Sequence, residues 1–459
     1  MNHHLFRRNR SRLRTGVGSV AVAALLLGVG VMSQLRSSEA ASGTAGYVPP
    51  IKHVFVINIE NKSFDEAWVS NKNPYLPKKL RARGVLLSQY FGIGHLSLTN
   101  YIAELSGQAP NVATQSDCQV YVDQKPGVAG PAGQSIGQGC VYPATVQALP
   151  DQLDAKGLTW RGYMEDMGND LSREPDRCGE PSNPTGGGFR DGTQSASATD
   201  QYAARHNPFV YFHSILDTPR CHQQVLPLPQ LTTDLKSVAT TPSFSFITPN
   251  LCDDGHDDPC VGKNVRGTQV GGLTSVDYWL QKYVPLITSS PAFQRDGVLV
   301  ITSDESENND ATACCNEQPG YNTPQPGDTG PGGGRIGTLI LGRCVKAGST
   351  ATTPYNHYSL LRSLEDVFGI TTGGSDGKGH LGYAGADGLA PFGADVFSGS
   401  CGSAVSAPER PVTVQPVIAK PVRPASGQLP RTGGLPVAGL ALTLTAGAFA
   451  ARRFAGKAL

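Results

Sequence analysis

The chain has 459 residues, and its 38 Lys and Arg against 37 Asp and Glu leave a formal net charge of +1. That balance excludes a nucleic-acid binder working through a basic surface, so no nucleic-acid partner is expected. The 10 cysteines lie beyond residue 100 without any CxxC or Cys/His spacing, which excludes a zinc site of the usual kind and favours disulfides in an exported protein.

At the amino end, Arg7, Arg8, Arg10, Arg12 and Arg14 precede an apolar stretch, 17–32, and then Ser38-Glu39-Ala40. This is the layout of a secretory signal peptide covering 1–40, with the mature chain starting near Ala41. Glycines 16, 18, 28 and 30 interrupt the run, which is short for a membrane-spanning helix. A folded domain is expected over 48–402, long enough for a substantial core.

Inside it the pattern alternates between strands and helices. Apolar runs at 54–59, 84–90, 209–212, 243–247, 297–302 and 336–341 read as strands, several apolar on both faces as in a covered parallel sheet; 160–164 reads as another. Helical periodicity covers 100–105, 274–286 and 358–368, and in the second Val276, Trp279, Leu280 and Tyr283 share one face as ordinary core. The Gly-, Pro- and Asn-rich stretches 108–150, 171–199 and 308–335 read as long loops lying over the site. Cys252 and Cys260 close a short loop around His256, whereas Cys314 and Cys315, being adjacent, are expected to find partners elsewhere.

Chemistry concentrates where strands end. Glu60-Asn61 follows 54–59 and Asp304-Glu305 follows 297–302, placing hard oxygen ligands at strand carboxyl ends, where open α/β sheets build their sites. Such a set suits a divalent cation of unspecified identity. Ser97, in His95-Leu96-Ser97-Leu98-Thr99-Asn100-Tyr101, stands ahead of a helix whose N–H groups could receive phosphoryl oxygens. Next to the cation a serine hydroxyl loses its proton more readily and can attack phosphorus, giving a phosphoserine that water then hydrolyses. His206 and His256 could donate to developing charge or protonate the leaving group.

Duller readings stand beside these. Ser97 could cap the helix and leave Thr99 as nucleophile, and His95 could be a satisfied buried residue. The run Asp253-Asp254-Gly255-His256-Asp257-Asp258 could hold calcium or simply be solvated. Glu165-Asp166 could line the pocket, and His357 could cap the following helix.

After the domain, 403–428 is rich in Pro, Val and Ala and reads as an extended spacer. Leu429-Pro430-Arg431-Thr432-Gly433, an apolar segment 435–451 and Arg452-Arg453 follow. Together 429–459 resembles the LPxTG sorting signal of Gram-positive cell-wall proteins. That resemblance implies sortase cleavage after Thr432 and peptidoglycan attachment, with the chain secreted and held at the wall or the outer face of the membrane.

Five ordered blocks carry a wider resemblance: 60–65, 95–101 with Ser106-Gly107, 206–209, 248–250 through His256-Asp257, and 301–305. They resemble bacterial phosphoesterases, the acid phosphatases and phosphatidylcholine-type phospholipases C of the alkaline-phosphatase superfamily. The likeness runs over roughly 52–369. It implies an α/β fold with a central, mostly parallel, alkaline-phosphatase-like sheet flanked by helices, with disulfide-containing loops over the site. It also implies metal ligands at Glu60, Asn61, Asp304 and Glu305, the alternative being that the last two share one ligand and one supporting role. Ser97 matches the nucleophile, and His206 and His256 match the phosphate-side histidines. Thr99 stands where many relatives have proline, and Ser306-Glu307-Asn308 replaces the glycine-rich run of the phospholipases. The expected activity is phosphomonoester hydrolysis on a small phosphoester. The alternatives are a phospholipase C cleaving phospholipid headgroups and, third, a non-catalytic surface-binding protein.

Overall fold

In the computed structural model, residues 49–398 and Cys401 are described, apart from 71, 183–187, 308, 309, 316, 318, 328. The signal peptide, spacer and sorting signal expected at 1–40, 403–428 and 429–459 lie outside the described residues.

Eight strands form the main sheet. In chain order they are β1 (His53–Ile59), β2 (Val85–Leu87), β3 (Trp160–Met164), β4 (Val225–Pro227), β5 (Phe244–Thr248), β6 (Gly297–Ser303), β7 (Thr338–Gly342) and β8 (Thr350–Ala351). Their spatial order is β8-β2-β7-β6-β1-β5-β3-β4. The block from β6 to β4 is parallel, and β7 runs antiparallel to both neighbours. This is a mostly parallel α/β sheet, as expected.

Both faces of β1 are covered, because its side chains alternate between two cores. Val54 and Val56 join Phe244, Phe246, Val298 and Val300 against Leu98, Tyr101, Ile102 and Leu105 of α1 (Ser97–Ser106) and Leu360, Leu361 and Leu364 of α3 (His357–Val367). Phe55, Ile57 and Ile59 join Leu299 and Ile301 against Val276, Trp279, Leu280 and Val284 of α2 (Gly272–Thr288). By this alternation Asn58 and Glu60 fall on the α1 side.

Register then decides which chain ends meet. Ile59 pairs with Ser303, and the Asp304 N–H donates to the Ile59 carbonyl at 3.1 Å, so Glu60 and Asp304 leave the sheet side by side. On the other flank the Glu60 N–H donates to the Asp254 carbonyl at 2.8 Å. Three residues from distant parts of the sequence are thus fixed together by backbone pairing alone.

Some expectations need correction. The run 209–212 is no strand: Pro208 opens a helical turn, Pro208–Tyr211, whose buried aromatics pack on the sheet, with Phe209 stacked on Trp160 at 5.1 Å. Burial made it look like a strand, but proline fixes φ and has no N–H for a ladder. The 84–90 run bends after β2 and resumes only at Tyr90–Phe91. Cys314 and Cys315 pair with each other, their Cα atoms 3.7 Å apart, against the expectation of separate partners. The remaining bridges are Cys118–Cys140, Cys178–Cys221, Cys252–Cys260 and Cys344–Cys401. Within 108–150 the chain also forms a hairpin of Lys125–Ala129 with Ser135–Gln138, so this connection is more ordered than its composition implies.

Candidate active site

Ser97 opens α1, and the residue before it, Leu96, has φ +68°, a left-handed conformation costing about 1–3 kcal/mol in a non-glycine residue. Packing on both sides holds that turn. The Leu98 N–H donates to Asp117 Oδ1 at 3.0 Å, and Asn100 Oδ1 accepts from the N–H groups of Ile93 (2.8 Å) and Gly94 (3.2 Å). The helix ends at Gly107, φ +66°, where a Cβ would lie 2.3 Å from the Leu381 carbonyl oxygen, so only glycine fits.

The Ser97 hydroxyl donates to Glu60 Oε2 at 2.7 Å. One turn further along the same helix face, the Tyr101 hydroxyl donates to Glu60 Oε1. Tyr101 stacks on His206, ring centroids 5.3 Å apart and planes within 9°. His206 stands between two carboxylates, with Nε2 3.3 Å from Glu60 Oε2 and Nδ1 3.4 Å from Asp254 Oδ2. Asp304 is close enough to interact with Glu60 and Ser97. Ser97, Glu60, His206, Asp254 and Asp304 are all buried, none more than 2% exposed.

Crowding of buried acids sets the electrostatics. Burial, then Asp304 and Asp254, raise the Glu60 carboxyl well above its usual range. Burial pushes Asp254 up to about 8 and raises Asp304. Burial, then neighbouring Arg205 and His256, hold His206 well below its ordinary value. Neighbouring carboxylates resist joint ionisation in a low-dielectric site unless a cation compensates them.

The donor set fits such a cation. Glu60, His206 and Asp254 present ligand atoms all within 4.8 Å of one another. His206 Nε2, Asp254 Oδ2, Asp304 Oδ2 and Asn61 Oδ1 are buried atoms without a hydrogen-bond partner among the described residues. Unsatisfied buried polar atoms are costly, and two of them, His206 Nε2 and Asp254 Oδ2, belong to the carboxylate–imidazole cluster, a pattern a metal site leaves.

Of the residues named from sequence, Ser97, Glu60, Asp304 and His206 come together, with His206 placed among the carboxylates. Asn61, with φ +42°, donates its N–H to Asp304 Oδ1 (3.0 Å) and its side-chain amide to Glu305 Oε1 (3.0 Å), leaving Oδ1 available. Glu305 has both oxygens engaged, Oε1 by Asn61 and Oε2 by His95 Nδ1, so it braces its neighbours. Burial pushes it up to about 8, opposed by the His95 hydrogen bond. His95 in turn meets the Asp310 carbonyl through Nε2 at 3.0 Å. His256 lies one ring away from His206 at 6.5 Å and is the more solvent-facing of the two; its Nδ1 contacts Asp257 Oδ1 at 2.8 Å, raising its pKa.

Other readings change. Thr99 Oγ1 donates to Thr114 Oγ1 at 3.3 Å in the interior, a packing role. The acidic run 253–258 is solvated only in its second half: Asp253 and Asp254 are 1% and 0% exposed, and their carboxylates diverge to separate partners, whereas His256 and Asp258 are exposed. Asp253 Oδ1 accepts from Ser275 Oγ (2.5 Å) and Val265 N–H (3.1 Å), and Asp254 Oδ1 from the His256 N–H (2.7 Å). The Leu98 N–H, engaged by Asp117, is not free for a phosphoryl oxygen. Glu165 is turned away, its Oε2 taken by Trp279 Nε1 at 2.8 Å and the Asn250 N–H at 3.2 Å. Sequence reasoning missed Asp254 as a site group and gave Tyr101 no role, although its position four residues after Ser97 puts both on one helix face.

A model of the Phosphoesterase family matches residues 68–371. A phosphate-repressible acid phosphatase of Penicillium chrysogenum is 24% identical over 362 residues, covering 76% of this chain and 70% of that protein. A phosphatidylinositol-3-phosphatase of Mycobacterium tuberculosis is 24% identical over 354 residues, 77% of this chain and 87% of that one. Among solved structures, a protein in the alkaline phosphatase superfamily from Vibrio parahaemolyticus is similar at 12% identity and a TM-score of 0.39. It covers 70% of this chain and 66% of that one, a likeness too distant to bear on activity.

Proposed function

The chain belongs to the Phosphoesterase family and is a hydrolase of phosphoester bonds, and from this we propose that it is a metal-dependent phosphomonoesterase acting through Ser97. The observation that carries the reading is the 2.7 Å hydrogen bond from Ser97 Oγ to Glu60 Oε2, a member of the buried Glu60, Asp254 and His206 group, with Asp304 close to both Glu60 and Ser97. Glu60, Asp304, Asp254, His206 and the free Oδ1 of Asn61 would hold one divalent cation. Bound there, the cation would neutralise phosphoryl oxygens and acidify the neighbouring hydroxyl.

The chain's own residues supply the rest. Glu60 orients Ser97 Oγ, and the Leu96 turn presents it from a rigid helix start. Ser97 Oγ gives up its proton to water and forms a bond to phosphorus as the bond to the ester oxygen breaks, and His256, at the more open end, gives that oxygen a proton. Water then attacks the phosphoserine, His256 takes a proton from it, the P–Oγ bond breaks, and Ser97 Oγ takes up a proton from solvent water as inorganic phosphate leaves. Glu305 and His95 keep Asn61 in place, and Tyr101 holds the second Glu60 oxygen.

Five disulfides are the mark of an oxidising compartment, which agrees with export. The LPxTG-like tail extends the reading to sortase-mediated attachment to peptidoglycan.

The test compares the full chain with Ser97→Ala, measuring phosphate release from p-nitrophenyl phosphate and phosphocholine release from phosphatidylcholine, with and without chelator. The phosphomonoesterase reading expects monoester cleavage lost both in the variant and with chelator. Preference for phosphatidylcholine would replace it with the phospholipase C reading. Undiminished activity in Ser97→Ala would remove the nucleophile assignment.

A further inference from the structure

A chain of buried polar groups runs beneath the site without touching the reacting atoms. Asn58 Nδ2 donates to Glu104 Oε2 at 2.7 Å, and Glu104 Oε1 lies 2.7 Å from His357 Nδ1. His357 Nε2 then reaches the backbone carbonyl of Asp304 at 2.6 Å, while the Tyr90 hydroxyl meets His357 Nδ1 at 3.2 Å. Asn58, Glu104 and His357 are 0%, 2% and 0% exposed. Each comes from a different element: Asn58 from β1 two residues before Glu60, Glu104 from α1, and His357 from the start of α3, reaching the chain just beyond β6.

Glu104 is the joint. On α1 it lies seven residues after Ser97 and three after Tyr101, so all three project toward the same side of the helix. A carboxylate in an apolar helix interface is costly unless fully paired. Oε2 accepts a hydrogen bond from Asn58, which is tied to Glu60 through β1, and Oε1 forms an ion-pair contact with His357, which is tied to Asp304 through its carbonyl. Resting on the assignment of Ser97 and the carboxylates above, we propose that Glu104 is a positioning residue that fixes the nucleophile helix against the carboxylate end of the sheet. Sliding or rotating α1 would separate Ser97 Oγ from Glu60 Oε2, and the Glu104 bridge opposes that movement from two directions.

The geometry dictates which substitution preserves the bridge. The Asp304 carbonyl only accepts, so His357 carries a proton on Nε2; in the wild type a second proton lies between Nδ1 and Glu104 Oε1, and without a carboxylate opposite it the neutral ring accepts at Nδ1. In Glu104→Gln the amide N–H can donate to that Nδ1 and the amide oxygen can accept from Asn58, reproducing both contacts. Glu104→Leu fills similar volume and reproduces neither.

The experiment uses the full chain, wild type, Glu104→Leu and Glu104→Gln, with p-nitrophenyl phosphate and with hydrogen–deuterium exchange. Glu104→Leu should lower kcat about 10- to 100-fold with KM changed less than about threefold, and Glu104→Gln should recover most of it. Exchange should rise in Ser97–Ser106 of Glu104→Leu more than in α2, and return toward wild type in Glu104→Gln. A Glu104→Leu kcat within twofold of wild type, or equal loss in both variants, would overturn the proposal. If Glu104→Leu does not fold, Glu104→Gln and Asn58→Ala carry the test, a normal kcat and normal α1 exchange in Asn58→Ala overturning it. A wild type inactive on every phosphoester would defeat the functional reading instead, and the exchange comparison alone would then decide the positioning role.

Discussion

A divalent cation at this site must stabilise the fold, and by an amount that can be worked out. A ligand that binds only the native state adds RT ln(1 + [L]/Kd), about 2.7 kcal/mol at 100 Kd. Unfolding entropy of about 2.1 cal/mol/K per residue over roughly 350 ordered residues gives about 0.7 kcal/mol/K, so that increment raises Tm by about 4 °C. Removing one ligand with Asp254→Asn should weaken binding at least tenfold, about 1.4 kcal/mol, and at the same cation concentration cut the shift to about 2 °C. The shift is also pH-dependent with a fixed sign. Asp254, pushed up to about 8 by burial, holds a proton at lower pH that the cation must displace, so the Tm increment grows from pH 5 toward pH 8. Differential scanning calorimetry with Mg²⁺, Ca²⁺, Mn²⁺ and Zn²⁺ in turn, against chelator, reads all of this. A wild type whose Tm responds to none of them, or an Asp254→Asn protein that keeps the full shift, would refute the metal-site reasoning.

Three further outcomes follow from other residues. Ser97→Ala should lower kcat at least about 10³-fold, whereas Thr99→Ala, which loses only a packing contact to Thr114, should stay within a few-fold in steady-state assays. Burial pushes Glu174 up to about 8, the Gly168 N–H and Arg173 opposing and Asp200 adding; the unfolded chain therefore loses this proton first, and stability falls as pH rises from about 4.5 to 8. Glu174→Gln should abolish that fall, gaining on the order of 3 kcal/mol over wild type at pH 8 and little at pH 4.5 in urea titrations. Trp279, 0% exposed and bonded to Glu165 Oε2 at 2.8 Å, should cost about 4 kcal/mol when changed to Ala, with far-UV circular dichroism unchanged at low temperature.

What was legible in the sequence is what local pattern encodes. The runs at 54–59 and 297–302 are apolar on both faces because both faces of β1 and β6 are covered, and this is why Glu60 and Asp304 could be placed at strand ends. What was hidden depends on contacts between distant segments. The run at 209–212 is as buried as any strand, and only Pro208 signals a turn. Asp254 sits in a string of acids that reads as solvated, and it enters the site only because the loop after β5 folds back to pair its carbonyl with the Glu60 N–H. The role of Glu305 turns on which atoms face its two oxygens, information that no spacing carries.

The common origin of the site and its support is the two-residue period of β1. Val54 and Val56 seat α1 in the core, and the same alternation carried two and four residues further delivers Asn58 to Glu104 and Glu60 to Ser97 and Tyr101. α1 answers with its own period, presenting Ser97, Tyr101 and Glu104 in turn along the face that meets this strand. A one-residue slip of β1 against its neighbours would therefore lose the core, the buried brace and the carboxylate beside the nucleophile together. Because one register specifies all three, stability of the sheet and geometry of the site are not separable here, and substitutions that loosen β1 should reduce activity before they unfold the domain.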